Sequence, residues 1–519
     1  MRRRGRVLLP LLAGMLGGTL WLPFGFAPLY PIAFFLLFLE YGRIESSREA
    51  VVLGLLMGAG RYAVAGHFLL ALLRYSPLAI IFYFLAIAYI LPFAVLESWG
   101  GLWLEKRTGL PRFLAYGLIW AVLEKVRTLS DLSFPADLVA HGLGSAPAWL
   151  AATAWTGPFA VPLWIAVVAT ATYWGWLAFR EGSRRRALVW AAAATLVWIA
   201  PRAAAPLLHR GGAENPPVLR VGIVQPFAKV EEKRNPEAWP RLWRRVERLT
   251  LQAARGADLV IWPETARPGA VIWPASEPFE DEQVADLSRR AGVPILYGAD
   301  LFSWEGTSKG RRQGKLYNGA ALAGADGRFG PWYGKQRLLP FVEGIPFGDL
   351  FGWDPSRRKQ STGYLTMLGN FTAGPKPTVF EVGPARIGVL ICFEGMYPHL
   401  ARRYRLEGAN MLAVMTNDAW WGHSVFPRWH STMAGSRARE NDLPVVRAAN
   451  NGISSVTDRF GRVLASTHLD EITVLEAEVE PSGTPPTFYD RHGDWIIAAA
   501  LLLMAAALAL ALIRRREGP

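Results

Sequence analysis

Apolar residues are concentrated in eight stretches of the chain, seven of them before residue 202 and the last close to the C-terminus. These stretches are 7–22, 28–39, 51–73, 77–99, 113–123, 159–179, 188–201 and 495–513. A helix needs about 20 apolar residues to cross roughly 30 Å of hydrocarbon, and the third, fourth, sixth and eighth stretches meet that length. The pattern therefore predicts a polytopic α-helical membrane protein with eight spans.

The chain between the seventh and eighth stretches has a different pattern, with no comparable apolar run. Strand-like segments are predicted at 219–224, 258–262, 293–298, 316–322, 386–391, 410–415, 445–448 and 453–457. Helical spacing of apolar residues over 239–255, over 281–291 and up to 437–441 separates several of them. Such alternation predicts an α/β domain with helices outside the sheets. The expected organisation is a membrane domain at 1–208 with about seven spans, a soluble domain at 209–494, and a final span with a tail at 495–519.

The composition supports membrane insertion, with 51% hydrophobic residues, 19% charged residues and a mean hydropathy of +0.18. Such a chain is too apolar for disorder and too poor in charge for an ordinary soluble enzyme. Its net charge of +14 would suit nucleic acid only if the basic residues gathered on one folded face. Instead, the Lys and Arg residues near the spans alternate between the two sides, 16 against 6. Because short cytoplasmic loops carry excess Lys and Arg, we expect both termini in the cytoplasm, 209–494 outside and no nucleic-acid partner.

Two further features narrow the class of protein. Residues 1–22 could also form a cleaved signal peptide, since arginines at 2–4 precede an apolar core. Removing that span would break the charge alternation, so we expect it to remain as a helix. The single Cys excludes an intramolecular disulfide framework and a metal site built from several cysteines.

That single cysteine, Cys392, is the first candidate for chemistry, because it ends a predicted strand and opens a predicted helix at 393–405. Reactive groups are expected at the carboxyl ends of such strands. A thiol at a helix N-terminus can have a lowered pKa, which would make more of the nucleophilic thiolate. The alternative is a small buried hydrophobic side chain, which is a common fate of a lone Cys.

Two more candidates follow other strands. Glu264 closes the strand at 258–262 through Pro263, and burial beside an aromatic wall would raise its pKa and suit it to act as a general base. Lys335 follows the strand-like segment 330–334 and could stabilise an oxyanion in a transition state. Taken singly, the alternative for each is a solvated loop residue.

Together, the three residues resemble the Glu-Lys-Cys triad of the nitrilase, or carbon-nitrogen hydrolase, superfamily, which falls in this chain order at strand ends. The resemblance implies a layered α-β-β-α sandwich for 209–494. Several apolar spans, such a domain and one final span resemble, over nearly the full length, the apolipoprotein N-acyltransferase family. Its members are membrane enzymes that add the third acyl chain to bacterial lipoproteins.

Local matches outside the triad strengthen the resemblance, and Glu343 falls on a second functional Glu of the family. The other matching positions are 339–343, 416–420, 437–440 with Arg447, 450–452, and Arg127 with Phe134 and Pro135. Departures also occur, since Phe393 and Val342 stand where the family often has Tyr and Gly, and 228–230 lacks a common aromatic residue. Glu394 could support catalysis, or it could simply be favoured by the helix dipole.

The resemblance implies a ping-pong reaction through a thioester. The Cys392 thiolate attacks a phospholipid ester, Glu264 transfers the protons, and a lysophospholipid leaves. The α-amino group of a diacylglyceryl-cysteine in an apolipoprotein then attacks the thioester. Lys335 and the backbone N–H after Cys392 would stabilise both oxyanions, Glu343 would hold Lys335 or Glu264, and no ATP, metal or organic cofactor is needed. The implied location is the bacterial inner membrane, with the catalytic domain on its outer face.

Substrate contacts are predicted from aromatic and charged positions. Trp420, Trp421, Phe426 and Trp429 follow Asn417 and would form a lip that contacts acyl chains, since Trp favours bilayer interfaces. The alternative is that these rings belong to the core.

Arg61 lies midway along the third apolar stretch, where a charge costs about 2.5–3.5 kcal/mol on insertion scales. Arg61 would bind a lipid phosphate, pair with Glu97 or Glu124, or lie near an interface if the span is misplaced. For the whole chain, the alternatives are a membrane-tethered amidase or nitrilase that hydrolyses a small amide, and a non-catalytic membrane binding protein.

Overall fold

The computed structural model describes residues 2–19, 30–133, 135–208, 217–308, 311–351 and 371–516. The chain forms two compact units. The first consists of Met1–Leu129, Phe134–Arg210 and His492–Pro519, and the second of Ser130–Ser133 and Gly211–Arg491. The predicted domain start at His209 and the matching residue Phe134 lie outside the described residues.

The first unit contains helices and, in the part that the structure describes, no strand. Its helices are α1 (Arg2–Thr19), α2 (Tyr30–Tyr41), α3 (Ser47–Ala65), α4 (Ala79–Thr108), α5 (Arg112–Val126), α6 (Val139–Gly142), α7 (Thr153–Thr156), α8 (Val161–Arg180), α9 (Arg184–Leu208) and α16 (Trp495–Arg516). Small residues let these helices approach closely. A Cβ atom on Gly14 of α1 would lie 2.2 Å from the Met57 carbonyl oxygen, and one on Gly60 of α3 would lie 2.3 Å from the Leu11 carbonyl oxygen.

Four helices within the described ranges are long and apolar enough to cross a membrane, namely Ala79–Thr108, Pro158–Arg180, Arg184–Pro206 and Trp495–Arg514. A fifth span results if Ser47–Ala65 and the 3₁₀ helix His67–Arg74 are counted together. The prediction of a polytopic membrane protein is confirmed. The remaining stretches correspond to the shorter helices α1, α2 and α5, so the total of eight spans stays a prediction.

The length of the third apolar stretch predicted one continuous span, but the structure shows two helices there. The chain bends by 47° between α3 and the 3₁₀ helix that follows. The break falls at Gly66, whose N–H donates to the Tyr62 carbonyl oxygen and closes α3. Glycine disfavours a continuous helix, and the tighter 3₁₀ geometry then redirects the chain. Arg61 therefore lies near the end of α3 rather than in the middle of a regular span.

The second unit contains two sheets. Its strands are β1 (Leu219–Gln225), β2 (Leu259–Ile261), β3 (Val271–Pro274), β4 (Ile295–Ser308), β5 (Arg311–Ala323), β6 (Phe329–Gly334), β7 (Val379–Val382), β8 (Ala385–Ile391), β9 (Met411–Thr416), β10 (Val445–Ala449), β11 (Ser455–Thr457), β12 (Val463–Ser466) and β13 (Thr473–Val479). The first sheet has the order β13-β1-β2-β4-β5-β6 with β3 on β4, and the second has the order β12-β11-β10-β9-β8-β7. Strands β1, β2 and β4 run parallel, as do β8, β9 and β10.

The helices of this part of the chain are α10 (Val230–Arg234), α11 (Trp239–Ala253), α12 (Glu282–Ala291), α13 (Pro398–Leu406), α14 (Phe426–Asn441) and α15 (Phe488–His492). Helices α11 and α12 pack on the first sheet, α13 and α14 pack on the second, and the sheets contact each other through β1 and β10. This arrangement confirms the predicted α-β-β-α sandwich. Gly388 in β8 permits close packing, because a Cβ atom there would lie 2.6 Å from Cγ of Tyr404 on α13.

All eight predicted strands of this unit are present, but the helix predicted at 393–405 begins later than predicted. The chain forms a 3₁₀ turn, Cys392–Met396, and the helix starts only at Pro398. Proline lacks an N–H and disfavours a helical conformation in the residue before it. Tyr397 accordingly adopts an extended conformation, with φ −91° and ψ 110°.

Candidate active site

The structure brings Glu264, Lys335 and Cys392 together in the second unit. Glu264 follows β2 in the first sheet, Lys335 directly follows β6 at the edge of that sheet, and Cys392 directly follows β8 in the second sheet. The Lys335 ammonium lies 3.9 Å from Glu264 Oε1. The charges of both residues act on the Cys392 thiol. Because parallel strands end at the same edge of each sheet, residues far apart in sequence meet at one site.

Glu264 is 7% exposed, and both of its carboxylate oxygens accept hydrogen bonds. Asn318 Nδ2 donates to Oε1 at 2.7 Å, and the Asn417 N–H donates to Oε2 at 2.8 Å. Burial raises the pKa of the Glu264 carboxyl group, and the neighbouring Glu343 charge raises it further, while Lys335 opposes both. A carboxylate with a raised pKa can accept a proton from a thiol or an amine.

Lys335 is held by Glu343. Its Nζ lies 2.9 Å from Glu343 Oε1 and 2.8 Å from Oε2, and only 2% of Lys335 is exposed. Burial opposes the ammonium charge, but the carboxylates of Glu343 and Glu264 outweigh it and hold the pKa of Lys335 above its ordinary value. The lysine therefore carries a fixed positive charge beside the thiol.

Asn318 was not singled out by the sequence pattern. Its side-chain Nδ2 donates to Glu264 Oε1 and, at 2.9 Å, to Glu343 Oε1. Its backbone carbonyl oxygen accepts from the Lys335 N–H at 2.8 Å. It is 3% exposed on β5. The sequence could have indicated it, because Asn318 is a polar residue in a strand of mostly small and apolar residues. A polar side chain buried there needs hydrogen-bond partners.

Cys392 has a left-handed backbone conformation with φ +53°, which roughly costs 1–3 kcal/mol for a residue other than glycine. Its thiol is partly buried. Burial raises the pKa of that thiol, and Glu264 raises it further, while Lys335 and a hydrogen bond from Thr416 oppose them. The predicted lowering of the thiol pKa was wrong, because a five-residue 3₁₀ turn supplies no long helix dipole and the nearby Glu264 disfavours the thiolate. The thiol is therefore protonated at rest and needs a base.

Glu394 is completely buried and accepts hydrogen bonds from backbone groups of two segments. Its Oε1 accepts from the N–H groups of Gln336 at 2.7 Å and Arg337 at 3.0 Å, and its Oε2 accepts from the Ile391 N–H at 2.8 Å. The Tyr333 hydroxyl also donates to it, at 2.8 Å to Oε2. These contacts tie the backbone after Lys335 to the end of β8. A positioning role explains the place of Glu394 better than the helix dipole does.

Phe393 and Asn417 lie beside these groups. Phe393 is buried, and its ring packs edge-on against Tyr397 with centroids 5.5 Å apart. Asn417 contacts Glu264 through its backbone N–H, while its side-chain oxygen accepts from Asn450 Nδ2 at 2.9 Å. Asn417 therefore positions the predicted base, and a direct contact to substrate stays a prediction.

The predicted aromatic lip separates into two parts. Trp420 and Trp421 are half-buried; Arg234 lies 4.8 Å from the Trp420 ring, and Trp421 packs on Phe426 at 4.6 Å. Phe426 and Trp429 are each 4% exposed, so they belong to the core and their prediction as lipid-contacting residues was wrong. Both lie on the buried face of α14.

Arg61 lies in the first unit with its guanidinium between two carboxylates. It is 3.8 Å from Glu97 and 3.8 Å from Asp137, and 6% of the residue is exposed. The predicted pairing with Glu97 is present, whereas Glu124 instead accepts from the Val139 N–H at 3.0 Å. These carboxylates compensate the buried charge. A role in phosphate binding stays a prediction.

Within the part of the chain that the structure describes, no three His, Cys, Asp or Glu side chains are grouped as ligands for a metal ion. Residues 220–487 match the family model for carbon-nitrogen hydrolases. The second unit is therefore a carbon-nitrogen hydrolase domain. Residues 13–171 match the model for the N-terminal domain of apolipoprotein N-acyltransferase.

The whole chain has relatives of the same architecture. It is 30% identical over 530 residues to the apolipoprotein N-acyltransferase of Azotobacter vinelandii, covering 98% of this chain and 95% of that one. It is 29% identical over 521 residues to that of Geobacter metallireducens, covering 98% and 96%. A solved amidase from Nesterenkonia sp. is 16% identical, with coverage of 56% of this chain and 97% of that one and a TM-score of 0.36. The chain belongs to the apolipoprotein N-acyltransferase family, as its sequence resemblance indicated, and is a membrane-associated acyltransferase.

Proposed function

We propose that this enzyme transfers an acyl chain from a membrane phospholipid to the α-amino group of diacylglyceryl-cysteine at the N-terminus of an apolipoprotein. The observation that carries the proposal is the buried charge arrangement around Cys392, with Glu264 able to take a proton and Lys335 fixed in its charged form. The names of the relatives supply the acceptor class. Glu264, Lys335 and Cys392 are the proposed catalytic residues.

The first half-reaction forms a thioester. Glu264 removes the proton of the Cys392 thiol as the sulfur attacks the ester carbonyl carbon of the phospholipid. The resulting oxyanion is stabilised by the Lys335 ammonium and by the Phe393 N–H. The carbon–oxygen bond to glycerol then breaks, the glycerol oxygen takes the proton from Glu264, and a lysophospholipid leaves.

The second half-reaction uses the same groups in reverse. The α-amino nitrogen attacks the thioester carbonyl carbon and loses a proton to Glu264. The oxyanion again faces Lys335 and the Phe393 N–H, the carbon–sulfur bond breaks, and the Cys392 sulfur regains the proton. Conversion of a thioester to an amide is downhill, so the acyl transfer needs no ATP and no metal or organic cofactor.

The proposed organisation follows from the chemistry of both substrates. Both are lipids, so a domain anchored by spans on its two sides would face the bilayer surface. We place the enzyme in the bacterial inner membrane with domains at 1–208, 209–494 and 495–519, eight spans and both termini in the cytoplasm. The charge asymmetry of 16 against 6 supports this orientation. Trp420, Trp421, Asn417 and Arg61 remain proposed contacts to the lipid substrates.

The proposed function is tested by supplying purified enzyme with phospholipid vesicles and a diacylated lipopeptide. We expect release of lysophospholipid in proportion to N-acylated lipopeptide, with no release when Cys392→Ser protein is used. A small-amide hydrolase would instead release ammonia from amides and leave phospholipid intact. That pattern would overturn the proposal.

A further inference from the structure

A buried cluster of Asp418, His430 and Arg447 contacts the backbone of Cys392, and none of the three takes part in the proton transfers described above. Each member is at most 1% exposed. The His430 Nε2 lies 3.3 Å from the Cys392 carbonyl oxygen, and its Nδ1 lies 3.0 Å from Asp418 Oδ1 and 3.0 Å from Arg447 Nη2. Arg447 Nη2 donates to Asp418 Oδ2 at 2.7 Å.

The contacts of His430 select one tautomer of its ring. A carbonyl oxygen can only accept a hydrogen bond, so the proton must sit on Nε2 and point at Cys392. In a neutral ring Nδ1 is then an acceptor, and Arg447 Nη2 supplies the hydrogen that it needs. Burial lowers the pKa of His430, and the Arg447 charge lowers it further while Asp418 opposes them, which keeps the ring neutral.

The carbonyl group that His430 contacts belongs to the peptide unit between Cys392 and Phe393. A peptide unit is planar and almost always trans, so its carbonyl and its N–H point in opposite directions and rotate together. The structure contains no cis peptide bond among the described residues. Fixing the Cys392 carbonyl oxygen therefore also fixes the direction of the Phe393 N–H, which is the backbone donor to the oxyanion.

The cluster has little freedom to move. The Phe426 ring packs on His430 with centroids 5.1 Å apart, and the Thr416 hydroxyl donates to Asp418 Oδ1 at 3.1 Å. Gly452 passes so close that a Cβ atom there would lie 2.3 Å from Asp418 Oδ2. His430 is thus held on several sides while its Nε2 faces the strained peptide after the nucleophile.

We propose that His430 is a positioning residue of the acyl-transfer site, which holds the Cys392–Phe393 peptide so that the Phe393 N–H meets the developing oxyanion. Arg447 donates to Nδ1 and so selects the tautomer that this contact requires, and Asp418 holds Arg447 in place. The inference rests on the proposed function for its choice of reaction. The geometric role applies to any acyl donor that forms an oxyanion at Cys392.

The test compares His430→Gln with His430→Asn. The Gln amide reaches the position of Nε2 and can donate to the Cys392 carbonyl, whereas the shorter Asn amide reaches only the position of Nδ1, where its oxygen can still accept from Arg447. Each purified full-length protein is mixed with p-nitrophenyl butyrate, and the burst rate of acylation is measured across substrate concentrations. Alkylation of the same thiol by iodoacetamide is measured in parallel, because displacement at a saturated carbon forms no oxyanion.

We expect the Gln variant to acylate within about threefold of wild type and the Asn variant to acylate about 100-fold more slowly, since misplacement by about 1 Å can cost that much. The substrate concentration for half-maximal burst rate should stay unchanged, and alkylation should stay within about threefold of wild type in both variants. Wild-type acylation by the Asn variant, equal slowing in both variants, or slowing of alkylation in parallel with acylation would overturn the role.

A second variant covers the case in which the Asn protein does not fold. Arg447→Lys keeps a positive charge near Asp418 but removes the planar pair of hydrogens on Nη2, so it should slow acylation more than alkylation. Equal rates of acylation in this variant and wild type would contradict the role. Phospholipid is assayed separately. If wild type forms no acyl-enzyme with phospholipid while the butyrate ester gives the expected pattern, the proposed donor fails and the role of His430 stands.

Discussion

Glu343→Gln is expected to disable acylation while the protein remains folded. Both carboxylate oxygens of Glu343 contact the Lys335 ammonium group. The carboxylate also accepts hydrogen bonds from Asn318 Nδ2 and, at 2.8 Å, from the Leu339 N–H. Glutamine has one acceptor oxygen in place of two and no charge. The glutamine side chain therefore cannot accept hydrogen bonds from both Lys335 and the Leu339 N–H, and its NH₂ group must face one of these donors.

The size of the effect follows from the bonds that are lost. A hydrogen bond to a charged group contributes about 1.5–3 kcal/mol, and breaking a buried ion pair costs roughly 3–5 kcal/mol. Glu264, at 3.9 Å from Lys335 Nζ, can replace part of that pairing. We expect a loss of about 2–3 kcal/mol in stability. Because Lys335 then moves toward Glu264 and away from the oxyanion, acylation should slow by about 10²–10³-fold.

The assay measures the acylation burst and the free energy of unfolding on the same protein preparations. Glu282→Gln is a matched control, since Glu282 pairs with Arg289 at 2.7 Å on the surface and its side chain is 82% exposed. That control should change stability by no more than about 0.5 kcal/mol and leave the burst unchanged. Wild-type acylation by Glu343→Gln, or an equal loss in the control, would refute the reasoning.

Three further predictions concern acid stability, orientation and the buried arginine. Burial opposes the charge of Asp418, but Arg447 lowers the pKa of that carboxyl group from 3.8 to about 2. The stabilising contribution of Asp418 is therefore present above pH 3.8 and is lost as the pH falls toward 2. Asp418→Asn should flatten the acid dependence of unfolding in that window, and an unchanged slope would contradict the assignment. Protease added to the outer face of the membrane should cut within 209–494, and a reporter fused after Pro519 should be active only in the cytoplasm; the reverse pattern would invert the topology. Arg61→Gln should slow acylation by phospholipid more than transfer from a preformed thioester, whereas equal slowing of both steps would favour a purely structural pairing with Glu97 and Asp137.

The sequence was sufficient to predict a strand or a site residue where the pattern within one short segment determined it. The apolar runs before Cys392 and Glu264 predicted β8 and β2, and polar residues at their ends predicted the candidate site. Strand β12 was missed because its residues are largely exposed and show no alternation. The bend after α3 was missed because hydropathy reports the length of an apolar run and not its direction.

The parts of the site that escaped prediction depend on contacts between distant segments. Two of the partners of Glu394 are the N–H groups of Gln336 and Arg337, almost 60 residues away in sequence. The thiol pKa of Cys392 was predicted with the wrong sign because a helix dipole was inferred locally, whereas burial and the charge of Glu264 arise only in the folded domain. Asn318 and His430 likewise gain their roles only when distant segments meet, around the first sheet for Asn318 and around the second sheet for His430.

The most direct test of the central claim is the intact mass of the enzyme after incubation with phospholipid vesicles and no acceptor. The account predicts that wild-type protein gains one acyl group on Cys392, the sole thiol of the chain, and loses it when a diacylated lipopeptide is added. Cys392→Ala protein should gain none. Wild-type protein without an acyl adduct, or the same adduct on Cys392→Ala protein, would contradict a thioester at this residue.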